Sequence, residues 1–264
     1  MTNWRLAGSL ALLALLTTAT AGARAEGDGK YPDWDGQWFR TGGVQFDPTK
    51  PLGRGQQAPL TPEYQAKLEA SIADIAAGGH GLNEHTSCLP HGMPRMMNAV
   101  YPIEFVVQPK TTYILLEENL PRRIYTDGRG HPEVSDPTFH GHSIGHWEGD
   151  TLVVDTVDIV PQAPLAVSEA AGLPNNGDMH VIERIHLTDK DILQDDLEII
   201  APKILTKPWK TSRIFFRQRA RKFDIVEGVC ATGDLAERVD ANGDNIFVPV
   251  QKSEWGHTVA VPAK

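Results

Sequence analysis

From residue 101 onward the chain alternates apolar and polar positions in short runs, the period that turns successive strand side chains to opposite faces. In 101–108, Ile103, Phe105 and Val107 share one face, with Glu104, Val106 and Gln108 on the other. Residues 111–117 follow Pro109-Lys110, as the second arm of a hairpin would. A strand at 122–126 runs into the turn Asp127-Gly128-Arg129. Residues 141–147 and 151–158 flank Glu148-Gly149-Asp150, and 179–187 and 192–200 flank Thr188-Asp189-Lys190-Asp191. Further strands are predicted at 209–217, 223–229 and, in the tail, 246–250. Short strands at this spacing predict an all-β fold, an antiparallel barrel or sandwich.

The region before residue 101 reads differently. Asp33 to Phe39 gives one strand, and 48–59 is a Pro/Gly/Gln connector. Thr61-Pro62-Glu63 is a helix start, with an N-cap, a proline in the first turn and an early acid. Tyr64, Leu68, Ile72 and Ile75 form the stripe of one amphipathic helix, stopped by Gly78-Gly79. The predicted organisation is therefore a leader at 1–25, a strand, helix and loop extension at 26–100, and a β-barrel domain at 101–264.

The leader combines Arg5, an apolar run over 6–16 and Ala23-Arg24-Ala25, the signature of a secretory signal peptide. The run is shorter than the roughly 20 residues a spanning helix needs, so a periplasmic or secreted protein without a membrane span is expected. Of the 264 residues, 25 are Lys or Arg and 34 are Asp or Glu. Cleavage after Ala25 would remove Arg5 and Arg24 and take the formal net charge from −9 to −11. That balance argues against nucleic acid and anionic lipid as partners. Cys88 and Cys230 are the only cysteines, and an even count in an exported chain favours a disulfide. Two buried thiols, or Cys88 as a nucleophile beside His85 or His91, are the alternatives.

Candidate chemistry concentrates in 139–158. His140, His142 and His146 stand at even spacing, which on a regular strand would put all three on one face. A divalent ion such as Zn²⁺ or Fe²⁺ could be held there, although Gly141 and Gly145 favour a bent strand. His80, His85, Cys88 and His91 lie in one loop, but their spacing matches no closed zinc site. Gly141-His142-Ser143-Ile144-Gly145 fits the hydrolase pattern G-x-S-x-G. That pattern works only where a helix follows the serine, and here a turn and another strand follow. Glu183 stands alone among Met179, Val181, Ile185 and Leu187, and Asp155 sits between Val153 and Val157. A carboxylate turned into a core must be paired or shifted in pKa, and one that lines a cavity can serve as an acid or base. The candidate catalytic set is His142, Asp155 and Glu183 with Arg129 or Arg184. The alternative for Glu183 is a structural ion pair, with Arg213, Arg217 or Arg219 as partner.

Several of these segments together carry a resemblance. They are Cys88-x-Pro90-x-Gly92-x-Pro94-Arg95, Asp127-Gly128-Arg129, Gly141-x-Ser143-x-Gly145-x-Trp147-Glu148-Gly149-Asp150-Thr151-Leu152-Val153-Val154-Asp155-Thr156, and His180-Val181-Ile182-Glu183-Arg184. The combination resembles a large group of exported bacterial all-β proteins. The resemblance implies an architecture and a compartment, and no particular reaction. His146 stands where that group is expected to carry a basic residue. Gly36-x-Trp38 resembles the opening of lipocalin-type barrels, and the paired histidines resemble a cupin metal motif. Three readings follow. One is a cofactor-independent acid–base enzyme (isomerase, lyase or hydrolase) acting on a small organic molecule in the barrel cavity. The others are a lipocalin-like binding protein and a cupin-like metal enzyme. The sequence leaves oligomeric state open.

Overall fold

A computed structural model describes residues 31–41, 57–79, 81–82, 89–99, 101–117, 120–165, 167, 172–220 and 224–226. It also describes the strand backbones at 235–239, 245–249, 251–252 and 258–259. The leader, His80, His85, Cys88, Cys230 and most of the strand expected at 223–229 lie outside the described residues. Among the described residues there is no disulfide, and no helix is long and apolar enough to cross a membrane. The chain divides after Tyr31, and residues from Pro32 onward form one compact unit.

Nine strands close a barrel. They are β1 (Gln37–Thr41), β2 (Ile103–Gln108), β3 (Thr111–Leu116), β4 (Arg122–Tyr125), β5 (His142–Glu148), β6 (Thr151–Val157), β9 (His180–Asp189), β10 (Ile192–Ile200) and β11 (Trp209–Arg217). Two-residue strands β7 (Pro164–Leu165) and β8 (Leu173–Pro174) pair inside the β6–β9 connection. The fold class expected from the alternation is what the chain forms, as a barrel rather than a sandwich. The extension is not separate from it, because β1 completes the wall between β2 and β11. Trp38 on β1 is fully buried, and the Arg217 guanidinium lies over its ring at 4.5 Å. Arg217 also donates to the carbonyl oxygens of Asp33 and Lys190, at 2.7 and 3.2 Å, fastening the closing seam.

The wall departs from expectation at one seam. Neighbours in a closed ring can all run antiparallel only if their number is even, so nine strands require at least one parallel pair. That pair is β4 and β5, joined at Ile124↔Ser143 and Tyr125↔Ile144. Parallel neighbours need a crossover of a dozen or more residues, and residues 126–141 supply it. The crossover runs over the outside of β5 and β6. Thr138 N–H donates to the Asp158 carbonyl at 3.0 Å, Val160 N–H donates to the Thr138 carbonyl at 2.9 Å, and Ser135 hydrogen-bonds the Asp158 carboxylate.

Alternate burial assigns the two faces of the wall. Ile103, Phe105, Ile114, Ile124, Leu152, Val154, Val181, Ile185, Leu193, Leu197 and Phe215 are buried inside, with Trp34, Met93, Met96 and Met97 in the same core. The helix Pro62–Ala76 (α1) begins as expected, the Thr61 side chain accepting from Tyr64 N–H. Its Tyr64 and Leu68 are buried. Thr61 N–H donates to the Ile204 carbonyl at 2.9 Å and Thr206 N–H to the Pro59 carbonyl at 2.8 Å, so the helix start is bound to the β10–β11 connection.

Candidate functional site

The proposed catalytic set does not assemble in one place. Glu183 faces the barrel interior, whereas Asp155 and His142 lie on the outer face of the wall. β6 carries apolar residues on both faces, Leu152 and Val154 inside and Val153 and Val157 outside, so its alternation did not fix which way Asp155 turns. Arg184 is also outside, paired with Glu148 at 2.8 Å, and Glu148 further contacts His146 at 3.1 Å.

Inside, Arg122 and Glu183 form a forked ion pair at 1% and 0% exposure, with Nη1 2.8 Å from Oε1 and Nη2 bonded to Oε2. Arg122 Nη2 also donates to Thr156 Oγ1 at 3.0 Å and to Ser143 Oγ at 3.3 Å. The arginine that neutralises Glu183 thus comes from β4, and not from Arg213, Arg217 or Arg219. Ser143 is buried against Thr156 (2.9 Å), and β5 continues as strand to Glu148 with no helix after it. The hydrolase pattern is a coincidence of letters, because Ser143 is a hydrogen-bonded core residue.

Beside this pair sits Asp195, fully buried, neither of whose oxygens has a hydrogen-bond partner. Burial first, and then the Glu183 charge, push its carboxyl well above the usual range, opposed by Arg122 and Arg213. Burial pulls Arg213 down to about 9, still protonated at neutral pH, against the raising effect of Asp195. A carboxyl raised on folding stabilises the fold fully only below its unfolded value of about 3.9, and that contribution is lost as pH climbs toward the folded value. Asp195→Asn keeps the shape and removes the charge. It is expected to raise the unfolding free energy at pH 8 by about 1 kcal/mol or more, and to leave that at pH 4 nearly unchanged. Urea titrations at both pH values check this.

Outside, the crossover and β4–β6 build a different constellation. His131 comes from the crossover, and its Nδ1 lies 2.8 Å from His142 Nδ1. Its Nε2 faces Asp155 Oδ1 at 3.4 Å, and the same oxygen is 2.6 Å from His180 Nε2. The contact lies outside hydrogen-bond geometry, but the carboxylate charge favours a proton on the facing Nε2, and with His131 so protonated its Nδ1 accepts. His142 Nδ1 then donates, which leaves His142 Nε2 as a lone pair. No partner for that atom is found among the described residues. Burial first, then the His131 charge, lower the His142 pKa, with Asp158 opposing. The ring is stacked on Tyr125 at 5.5 Å, and Arg129 covers Tyr125 at 4.0 Å while bonded to Asp127.

His142 lines a cavity of about 610 Å³, walled by Pro90, Leu120, Pro121, Phe139 and Tyr125 and bordered by Arg123 and His140. Gly141 allows the bend that brings His140 and His142 to this wall. Its φ is +69°, and a Cβ there would meet the Val157 carbonyl oxygen at 2.5 Å. The cavity therefore lies on the outer side of the wall beside the parallel seam, not within the barrel as the sequence suggested. Of the residues expected from sequence, His142 and Asp155 belong here, linked through His131. Arg129 contributes by holding Tyr125.

The metal set is not brought together. His142 and His146 are four strand residues apart, roughly 13 Å, and His146 is engaged by Glu148. His140 is held at about 4, mainly by burial and then by the Arg122 charge. Among the described residues no group of three or more His, Cys, Asp or Glu side chains is arranged to hold a metal ion. His131, His180 and Arg123 were missed. His131 lies in a loop without periodicity, and the neighbours of β4 depend on a crossover that no local pattern announces. No protein-family model and no curated protein matches this chain.

Proposed function

We propose that this is an exported small-molecule enzyme of acid–base type, with His142 as general base in the groove beside the parallel seam. The observation that carries the reading is the relay from Asp155 through His131 to His142, ending on a ring nitrogen at an apolar cavity wall. The Asp155 charge biases the His131 tautomer from 3.4 Å, His131 sets that of His142 through their 2.8 Å hydrogen bond, and the remaining lone pair can take a proton from a bound molecule. A base whose pKa lies below the ordinary histidine value stays unprotonated at neutral pH. Isomerisation, elimination and hydrolysis all use such a group.

Metabolites that accumulate in a strain lacking the gene, supplied to the purified protein, identify the substrate. With it in hand, kcat/KM is expected to stay level down to pH 6.5, roughly the ordinary histidine value, and to fall only below it as His142 is protonated. An acidic limb above that pH sinks the assignment. The apolar wall of Pro90, Leu120, Pro121 and Phe139 also supports a second reading, a binding protein that holds its ligand without turnover. In that case bound ligand is recovered chemically unchanged.

A further inference from the structure

Among the described residues the groove carries one lasting charge, and it is positive. No Asp or Glu lines it among the described residues, and Arg123 is its one arginine or lysine there. Arg123 makes no ion pair among the described residues, although the chain as a whole has a formal net charge of −9. The neighbouring arginines are already engaged: Arg122 by Glu183 and Arg129 by Asp127. The two histidines of the lining do not add to the charge at neutral pH. Burial holds His140 at about 4 and lowers His142.

Register places this cation beside the base. Ile124 pairs with Ser143 across the parallel seam, so Arg123 and His142 stand one residue back on their respective strands. Both side chains are on the outer face, where β4 and β5 diverge and the cavity opens. Opposite them are the rings and aliphatic carbons of Phe139, Leu120, Pro121 and Pro90, with Leu120 largely exposed at the mouth. An apolar body could lie on these side chains while an anionic end reaches the guanidinium. A guanidinium presents a planar fork that matches a carboxylate with two parallel hydrogen bonds.

We infer that the molecule taken by this groove is a small monocarboxylate with an apolar or aromatic body, its carboxylate on Arg123 and its body against Phe139 and Leu120. The inference rests on the groove being the substrate site proposed above. It adds the chemical class, which the relay alone leaves open.

Three probes that share one body test it by calorimetry: 3-phenylpropanoate, 3-phenylpropanamide and 3-phenylpropylamine. The carboxylate is expected to bind at least roughly tenfold more tightly than the amide, and the amine least. Arg123→Gln should erase the difference between carboxylate and amide, and Arg123→Lys should restore part of it. Arg123 is exposed, so both variants should keep the circular dichroism and urea midpoint of the parent. Equal binding of amide and carboxylate, no binding of the carboxylate at about 1 mM, or an unchanged preference in Arg123→Gln overturns the inference. The catalytic reading fails separately. If His142→Gln leaves turnover intact while the carboxylate preference persists, the class stands and the base does not. If turnover needs His142 but the substrate proves neutral or cationic, the base stands and the class falls.

Discussion

Arg122→Ala is expected to be the most damaging single change to folding, costing about 3–5 kcal/mol. The reason is what it leaves behind. Glu183 is wholly buried, and its oxygens take their hydrogen bonds from the Arg122 fork. Removing the guanidinium strands a carboxylate in the core and also withdraws donors from Ser143 and Thr156. Urea unfolding at pH 7 measures the loss, and a drop below about 1 kcal/mol would mean the two groups are not desolvated together. Replacing both partners, Arg122→Met with Glu183→Leu, should recover most of the stability, because apolar residues of similar volume need no compensation. Such a rescue would identify the pair as structural and would agree with its distance in role from the groove.

His142→Gln is expected to lower kcat/KM by about 10²–10⁴, the range for losing a positioned proton acceptor. The glutamine keeps polarity and much of the volume, so ligand affinity should change little and the urea midpoint should stay near that of the parent. Asp155→Asn should act more mildly and through the same relay. It weakens the hold on the His131 tautomer and on His180, so the acidic limb of the rate profile should move while affinity does not. A purely structural Asp155 would shift stability and leave that limb in place. If His142→Gln removes binding and turnover in equal measure, the groove is a ligand site without catalysis.

Much of this was legible in the pattern of side chains. The placement of Ile103, Phe105 and Val107 inside the wall follows from period-two alternation, and the start of α1 follows from Thr61-Pro62-Glu63. Glu183 was also legible as an acid facing a core, because its face of β9 is otherwise apolar while the opposite face is mostly polar. Its partner was not. Arg122 meets Glu183 across two intervening strands, β5 and β6, and that proximity arises from barrel closure rather than from any local run. Asp155 failed for a related reason. The crossover half-buries the outer face of β5 and β6, so apolar residues are favoured on both sides there and the alternation loses its meaning. His131 had no signal at all, since a loop residue acquires its neighbours only when the crossover is laid down.

The odd number of staves in this wall has a consequence for how such a protein can change. An even ring can be stitched throughout by hairpins, but this one must carry one joint between like-directed neighbours, with an overpass of chain above it. The hollow beside that joint is shaped by backbone, Gly141 included, so the larger side chains at its rim can vary without moving it. A relative with the same strand order is expected to keep its crevice beside the same joint, whatever chemistry it has come to hold there.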